Sequence, residues 1–233
     1  MKLSIVLPCY NEEKNIPLIV DRFLKGEEEG VELILVDNGS SDNSNKLIKE
    51  FSKKYSFIRL CHVKKNIGYG FGVWSGISKA TGEFICWTHA DMQTDLLDTI
   101  KAFELIMKQK NAEKCFVKGK RKGRSMFDSF FTGGMSLFET LLLGTYLNDI
   151  NAQPNLFHKS FLDNIKEPPK DFSFDLYFYF AAKKQNYEII RFPVRFMKRI
   201  HGESHWNTSL IGKWKFIKRT INFSFKLKRK IIK

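Results

Sequence analysis

Three clusters of polar residues follow short apolar runs, and their residue types suit a phosphorylated ligand and a divalent cation. The clusters are residues 8–12 (PCYNE), 37–42 (DNGSSD) and 89–93 (HADMQ). Magnesium-like ions use one or two protein carboxylates and complete their shell with phosphate oxygens and water. Asp91 and Gln93 offer one carboxylate and one amide oxygen, and in an extended chain they would point to the same side as His89. The spacing therefore indicates a cation site.

Each cluster also has a purely structural interpretation. Asp, Asn, Gly and Ser are the usual turn formers, so residues 37–42 are equally typical of a turn that caps the next helix. Asp91 alone is equally typical of a cap for a helix that begins near Asp95. The glycines of residues 66–72 (NIGYGFG) allow tight turns or close approach to a ligand. Their G-x-G-x-G spacing does not match the G-x-G-x-x-G dinucleotide fingerprint, which disfavours a nicotinamide cofactor.

Short apolar runs and apolar residues at helical spacing predict the elements that would position these clusters. We expect strands over residues 3–7, 33–36, 58–63, 83–87, 115–118 and 188–194, and helices over residues 15–25, 43–55, 72–79, 98–110 and 174–184. This order predicts a doubly wound, mostly parallel α/β sheet, in which ligands bind beyond the carboxyl ends of the strands. The polar clusters come directly after predicted strands, so we expect them to meet in one crevice.

Four segments together resemble a known enzyme family in their order and spacing. They are residues 4–13 (SIVLPCYNEE), 33–42 (LILVDNGSSD), 66–82 (NIGYGFGVWSGISKATG) and 87–95 (WTHADMQTD). They are similar to the nucleotide-sugar domain of family 2 glycosyltransferases, the inverting enzymes of GT-A fold, and especially to the dolichol-phosphate mannose synthase-like branch. The resemblance covers about the first 120 residues and implies a GT-A fold. It implies transfer of a sugar from a UDP- or GDP-sugar, with Mg²⁺ or Mn²⁺, to a polyprenyl phosphate or a lipid-linked glycan.

The resemblance also implies roles for individual residues. The nucleotide-sugar site would contain Pro8, Tyr10, Glu12, Val36, Asp37, Asn38, His89, Ala90, Asp91, Gln93, Arg121, Arg199 and His205. Asp91 and Gln93 match a D-x-Q variant of the metal-binding motif, and Arg121 matches an arginine that contacts the donor diphosphate. Arg199 and His205 belong to a segment similar to R-x-x-G-x-S-K. Asn38 and His89 stand where the family often has carboxylates, and His205 stands in place of a lysine.

Catalysis would consist mainly of stabilising negative charge on the leaving phosphate, through Asp91 with its metal and through Arg121. The need for a base depends on the acceptor. A phosphate monoester is already largely anionic at neutral pH and needs none. A sugar hydroxyl must lose a proton, and for that acceptor the candidate bases are Asp175 and then Asp149. Asp175 is equally typical of a carboxylate in the first turn of a helix.

The positive charge of the chain is concentrated near its end. The formal net charge is +14, and nine Lys and Arg residues follow Ile211 with no acid among them. On a helical wheel Trp214, Ile217, Ile221 and Phe225 form one apolar stripe beside these cations, which is typical of a basic amphipathic helix on an anionic lipid surface. Two alternatives are packing of the stripe on the protein's own core and binding of nucleic acid. We expect no nucleic-acid partner, because the rest of the sequence carries no such motif.

Length and composition indicate one α/β domain with a tail. Residues 1–120 would form the nucleotide-sugar-binding core, 121–205 the acceptor-side half of the same domain, and 206–233 the membrane-associating tail. The four cysteines lack C-x-x-C spacing, which favours a reducing compartment without a zinc site or disulfides. We expect no cleavable leader and no spanning helix. The expected location is therefore the cytoplasm, with peripheral attachment to the inner membrane.

Three other functions remain open at this point. A catalytically inactive GT-A module that only binds nucleotides would tolerate Asn38 and His89 in place of carboxylates. A glycosyltransferase acting on a soluble or cell-envelope glycan hydroxyl would share the same donor site. A sugar-nucleotide pyrophosphorylase can have a similar sheet, but its usual glycine-rich start with Arg and Lys is missing after Leu7.

Overall fold

The molecule is built on one seven-stranded sheet flanked by helices. The computed structural model describes residues 2–26, 28–123, 126–201 and 210–232, with the backbone alone within 126–131, 210–216 and 230–232. The strands are β1 (Leu3–Cys9), β2 (Val31–Asn38), β3 (Ile58–Val63), β4 (Phe84–Trp87), β5 (Cys115–Lys122), β6 (Asn155–His158) and β7 (Glu188–Arg195). The α-helices are α1 (Ile16–Leu24), α2 (Ser44–Lys54), α3 (Tyr69–Ile77), α4 (Asp98–Met107), α5 (Met126–Leu143), α6 (Phe174–Lys184) and α7 (Leu210–Ile232).

The strand order is β3-β2-β1-β4-β6-β5-β7. Strands β3, β2, β1 and β4 are parallel, β6 runs antiparallel to β4 and β5, and β7 is parallel to β5. Strand β2 is buried along its whole length, as expected of a central strand covered on both faces. The doubly wound, mostly parallel α/β fold predicted from the sequence is confirmed.

Apolar side chains fill three clusters around the sheet. One cluster packs α1 and α4 against one face, and a second packs α3 and α6 against the other. A third cluster joins α5, α6 and α7 through Leu143, Leu176, Tyr179 and Leu227. The C-terminal helix is therefore attached to the domain through α5 and α6.

The structure differs from the sequence prediction in one missing strand and in several element boundaries. Strand β6 is absent from the predicted set, helix α3 begins at Tyr69 instead of Gly72, and β5 continues to Lys122. The four residues of β6 are too few to show alternation, and pairing on both sides stabilises the strand. Helix α3 starts early because its glycines permit close packing. A Cβ on Gly70 would come within 2.3 Å of the Pro169 carbonyl oxygen.

Helix α7 packs on the protein through a different face from the predicted apolar stripe. The Ser224 hydroxyl donates to Glu139 Oε1 of α5 at 2.7 Å, and Leu227 is buried nearby. Of the stripe, Ile217 and Ile221 are half-buried and Phe225 is exposed, while the Trp214 side chain lies outside the described residues. Within the described part of the chain, none of the helices has the length and apolar character to span a bilayer.

Candidate functional site

The carboxyl ends of β1, β2 and β4 meet at one edge of the sheet. Cys9 pairs with Asp37 across β1 and β2, and Val6 pairs with Trp87 across β1 and β4. The three polar clusters begin where these neighbouring strands end. Their convergence into one region, expected from the sequence, is what the strand register produces.

The loops after β1 and β2 are fastened to each other by hydrogen bonds. The Asn11 amide donates to Ser40 Oγ at 3.1 Å, and the Glu12 amide donates to Ser44 Oγ at 2.9 Å. Beneath them Pro8 pairs in register with Val36. These hydrogen bonds fix the positions of the two loops relative to each other. The Tyr10 side chain is exposed beside it.

Asp37 is buried and ionised at the end of β2. Its carboxylate accepts hydrogen bonds from the Ser40 amide at 3.0 Å, from Asn45 Nδ2 at 2.7 Å and from His62 Nδ1 at 2.9 Å. Burial raises the pKa of Asp37, but these donors outweigh burial and hold its pKa below the ordinary value. His62, which lies opposite Asp37 in the β2–β3 register, was not among the predicted site residues.

Arg199 contacts both predicted metal ligands. Its guanidinium lies 2.8 Å from Asp91 Oδ2, and its Nε donates to Gln93 Oε1 at 3.3 Å. The chain does not leave β4 extended, because Met92 has a φ of 58° and the Gln93 amide donates to Asp91 Oδ1. The turn and Arg199, instead of strand parity, bring the two oxygens together. Asp91 does not cap α4, which begins at Asp98.

A half-buried carboxyl group completes this region. Burial raises the pKa of Glu12 to about 7, with Asp91 adding to the increase and Asn15 and Arg199 opposing it. The electrostatic influence of Asp91 and Arg199 on Glu12 indicates that the loops after β1 and β4 face the same crevice.

The oxygens of Asp91 and Gln93 fit a divalent cation whose other coordination positions are filled by phosphate oxygens and water. Asp91 and Gln93 already direct one oxygen each toward a single positive group, the Arg199 guanidinium. Among the residues that the structure describes, no group of three or more His, Cys, Asp or Glu side chains is arranged to hold a metal ion. A carboxylate and an amide are sufficient when phosphate oxygens and water supply the rest.

The remaining predicted residues of the crevice have mainly packing contacts. Asn38 is buried and donates to the Gly68 carbonyl at 3.2 Å, so it supports the turn before α3. His89 lies beside Tyr69, with ring centroids 5.4 Å apart, and Ala90 is buried. His205 lies outside the described residues.

Arg121 lies beside this region, paired with a carboxylate. Its amide donates to Asp149 Oδ2 at 2.8 Å and its Nε to Asp149 Oδ1 at 2.7 Å. Burial raises the pKa of Asp149, but Arg121 outweighs burial and lowers it. The chain after β7 connects the two areas, because the Phe196 amide bonds to the Lys122 carbonyl and the Met197 amide to the Gln93 carbonyl.

Asp175 lies inside the protein within a network of buried polar groups. Its Oδ1 accepts hydrogen bonds from Trp87 Nε1 at 3.1 Å and from Gln153 Nε2 at 2.9 Å. Lys118, fully buried, donates to Asn155 Oδ1 at 2.7 Å in the same network. Burial lowers the pKa of Lys118 to about 7, and Asp175 opposes the decrease. These contacts favour the structural interpretation of Asp175. Lys118, Gln153 and Asn155 carried no motif that could have revealed the network.

A family model for glycosyl transferase family 2 matches residues 4–142, which include the strand-end loops described above. The chain belongs to glycosyl transferase family 2. Among curated members, the undecaprenyl-phosphate 4-deoxy-4-formamido-L-arabinose transferase of Proteus mirabilis is 35% identical over 96 residues, covering 40% of this chain and 29% of that protein. The human dolichyl-phosphate beta-glucosyltransferase is 34% identical over 110 residues, covering 43% and 34% respectively. The aligned part is thus about a third of each relative.

Solved structures share the fold of this family 2 member. Glucosyl-3-phosphoglycerate synthase of Mycobacterium tuberculosis, crystallised with Mn²⁺, UDP and glucosyl-3-phosphoglycerate, matches with a TM-score of 0.73 at 15% identity, covering 97% of this chain and 79% of that one. S. aureus TarS in complex with UDP-GlcNAc matches with a TM-score of 0.64 at 20% identity, covering 90% and 62%. At these identities the similarity establishes the GT-A fold alone.

Proposed function

We propose that this protein transfers a sugar, with inversion, from a UDP- or GDP-sugar to a lipid-linked acceptor at the cytoplasmic face of a membrane. The observation that carries the proposal is the arrangement of Asp91, Gln93 and Arg199 beside the fastened loops after β1 and β2. This arrangement offers one anionic oxygen, one neutral oxygen and one cation in a small space. A nucleotide diphosphate with its metal ion can be bound by that combination.

We assign the nucleoside to the region of the buried Asp37 carboxylate and the exposed Tyr10 ring. Asp37 stays ionised and already accepts hydrogen bonds from Ser40, Asn45 and His62, so it would hold the loop after β2 in place and reach a base or a ribose only in exchange for one of these donors. Asp91 and Gln93 would hold Mg²⁺ or Mn²⁺, which would supply electrostatic stabilisation of the leaving diphosphate. Arg199 would contribute a second positive charge once it releases Asp91, and Arg121 would need to share its charge with Asp149.

Two observations support a phosphate acceptor over a hydroxyl acceptor. Asp175, the candidate base, is buried and accepts several hydrogen bonds, which leaves it poorly placed to take a proton from an acceptor. A lipid phosphate requires no base, since it is already anionic at neutral pH. The curated relatives named above act, by their names, on undecaprenyl and dolichyl phosphates.

A cavity of about 450 Å³ between β5 and α5 supports an acceptor with both polar and apolar parts. Its lining includes Lys120, Arg121, Ser136, Leu137 and Tyr146. The two apolar residues are exposed, so they lie at the rim of the cavity. We assign this cavity to the acceptor side, within the half of the domain formed by residues 121–205.

Metal-dependent nucleotide binding tests the proposal. We expect UDP or GDP to raise the melting temperature more in the presence of Mn²⁺ than in its absence, because a ligand that binds only the native state stabilises it. Asp91→Ala should abolish the Mn²⁺-dependent part of the shift and the transfer of sugar. Asp163→Ala, at an exposed carboxylate, is the matched control and should retain both. Activity that persists in Asp91→Ala with a chelator present would refute the metal site.

The competing function is a GT-A module that binds nucleotide without turnover. Asn38 and His89 favour it, since the first is committed to the Gly68 carbonyl and the second to Tyr69. Tight, Mn²⁺-dependent UDP binding without hydrolysis or transfer to any polyprenyl phosphate would support the module.

A further inference from the structure

Large apolar side chains are exposed on α5, on α7 and in the loop that follows α5. The relative exposures are 61% for Leu137, 74% for Leu141, 66% for Tyr146 and 47% for Phe225. We call these four residues the α5–α7 apolar face. Single exposed apolar residues are ordinary, but a cluster on adjoining elements marks an interaction surface.

The two helices form one packed unit. Ser224 donates to the buried Glu139, and the rings of Phe138 and Phe225 lie 6.5 Å apart. On α5, Leu137 and Leu141 are one turn apart and lie on the side of the helix away from Glu139. The packing of Phe225 on Phe138, which lies between Leu141 and Glu139 around α5, ties the exposed residues of α7 to those of α5 in one unit, instead of leaving α7 as an independent tail.

The exposed charged side chains described on α5 and α7 are all positive. Lys218, Lys226 and Arg229 are exposed on α7. Among the side chains described on α5 and α7, the only carboxylate is Glu139, and it is fully buried. Asp171 pairs with Arg219, and Asp149 lines the neighbouring cavity, so the cations on α7 outnumber the carboxylates around the face. An apolar surface with this excess of positive charge is complementary to the interface of an anionic bilayer. A second copy of the same face would bring like charges together, which opposes self-association.

We infer that the α5–α7 apolar face inserts into an anionic lipid surface, with the leucines of α5 as essential as the basic helix α7. The inference rests on the proposed lipid-linked acceptor and adds the location of the membrane contact. The cavity between β5 and α5 opens beside Leu137 and Tyr146. When the α5–α7 apolar face is inserted in the lipid, the mouth of this cavity therefore lies at the membrane surface.

Vesicle flotation of the full chain tests the inference. Wild-type protein should float with vesicles of phosphatidylcholine mixed with phosphatidylglycerol, and much less with phosphatidylcholine alone. Leu141→Ser should weaken binding several-fold, and Leu137→Ser with Leu141→Ser by about tenfold or more, since buried leucine surface is lost. Lys226→Gln with Arg229→Gln should reduce the preference for anionic vesicles.

The matched control is Leu24→Ser with Met107→Ser, two exposed apolar residues on α1 and α4, which should bind vesicles like wild type. Unchanged flotation of the leucine double variant, or concentration-dependent dimerisation of wild type without flotation, would overturn the inference. The affinity for nucleotide distinguishes failure of the membrane inference from failure of the proposed sugar transfer. Leu141→Ser, outside the cavity lining, should bind UDP and Mn²⁺ normally. Wild-type flotation without nucleotide binding would instead refute the proposed function.

Discussion

Arg199 holds the two oxygens that a divalent cation would need. Its guanidinium contacts Asp91 and Gln93 from a position 106 residues farther along the chain than Gln93. The positive charge of Arg199 balances the buried Asp91 carboxylate. Removing that charge without a replacement cation would cost free energy, because the carboxylate would be buried without a partner. Metal binding must therefore displace Arg199 or share Asp91 with it.

This competition predicts that Arg199→Gln raises the affinity for Mn²⁺ in the absence of nucleotide. We expect an increase of several-fold, on the order of 1 kcal/mol, because the competing positive charge is gone. Titration of free Mn²⁺ by electron paramagnetic resonance measures it directly. Arg195→Gln, an exposed arginine nearby, is the control for a change in net charge. Equal Mn²⁺ affinity in the two variants would show that Arg199 does not compete.

The sequence revealed the residues that belong to contiguous motifs. Asp37, Asp91 and Gln93 were recognisable because each follows a strand and matches a family segment. His62 was not recognisable, because its contact with Asp37 depends on the β2–β3 register. Pairwise register across strands leaves no local pattern in the chain, so partners of this kind appear only in the folded structure.

Among the elements, the turn before α3 depends on a glycine. Gly68 has a φ of 133°, and a Cβ there would lie 2.1 Å from the Lys170 carbonyl oxygen. The glycine-rich motif of residues 66–72 was compatible with either a tight turn or close approach to a ligand. In the structure, the backbone of Lys170 occupies the space next to Gly68. The glycines that looked like ligand contacts serve packing here.

We predict that Gly68→Ala destabilises the protein by about 3 kcal/mol, because both the backbone conformation and the space exclude a side chain. Gly134→Ala is the matched control, since among the described residues no atom outside the helix's own backbone lies within 4 Å of a Cβ at that helical position. Alanine there should stabilise by up to about 1 kcal/mol. Urea unfolding of the two variants measures both effects. Similar stabilities would contradict the packing role of Gly68.

The contact between α5 and α7 should respond to pH. Burial raises the pKa of Glu139 to about 7, while the bond from Ser224 lowers it. The folded state then binds more protons than the unfolded state between the ordinary pKa and about 7. The contribution of Glu139 to stability is full below its unfolded pKa and is lost as pH rises through about 7.

Glu139→Gln should remove this dependence. We expect wild type and variant to have similar melting temperatures near pH 5 and the variant to be more stable near pH 8, by up to about 3 kcal/mol. Thermal unfolding across this pH range checks the difference. Glu83→Gln, at an exposed carboxylate, should follow wild type. A difference in stability between Glu139→Gln and wild type that is the same at all pH values would contradict the titration of Glu139 in this range.

At the scale of the whole molecule, the repeated strand–helix pattern predicted the parallel half of the sheet well. The second half of the sheet was harder to predict, because β6 is only four residues long, lies between β4 and β5, and runs antiparallel to both. The contacts that hold α7 were also invisible in the sequence. The helical wheel identified a stripe of apolar residues, whereas Ser224 and Leu227 beside that stripe make the packing.

The buried network around Lys118 and Asp175 joins β5 to α6 through one ammonium and one carboxylate, with Asn155 and Gln153 between them. Asp175 raises the pKa of Lys118 against the effect of burial, so loss of Asp175 would lower that pKa further, whereas loss of Lys118 would leave the buried carboxylate without this positive charge. Related proteins that keep this architecture should therefore inherit the two positions as a couple, both ionic or both neutral.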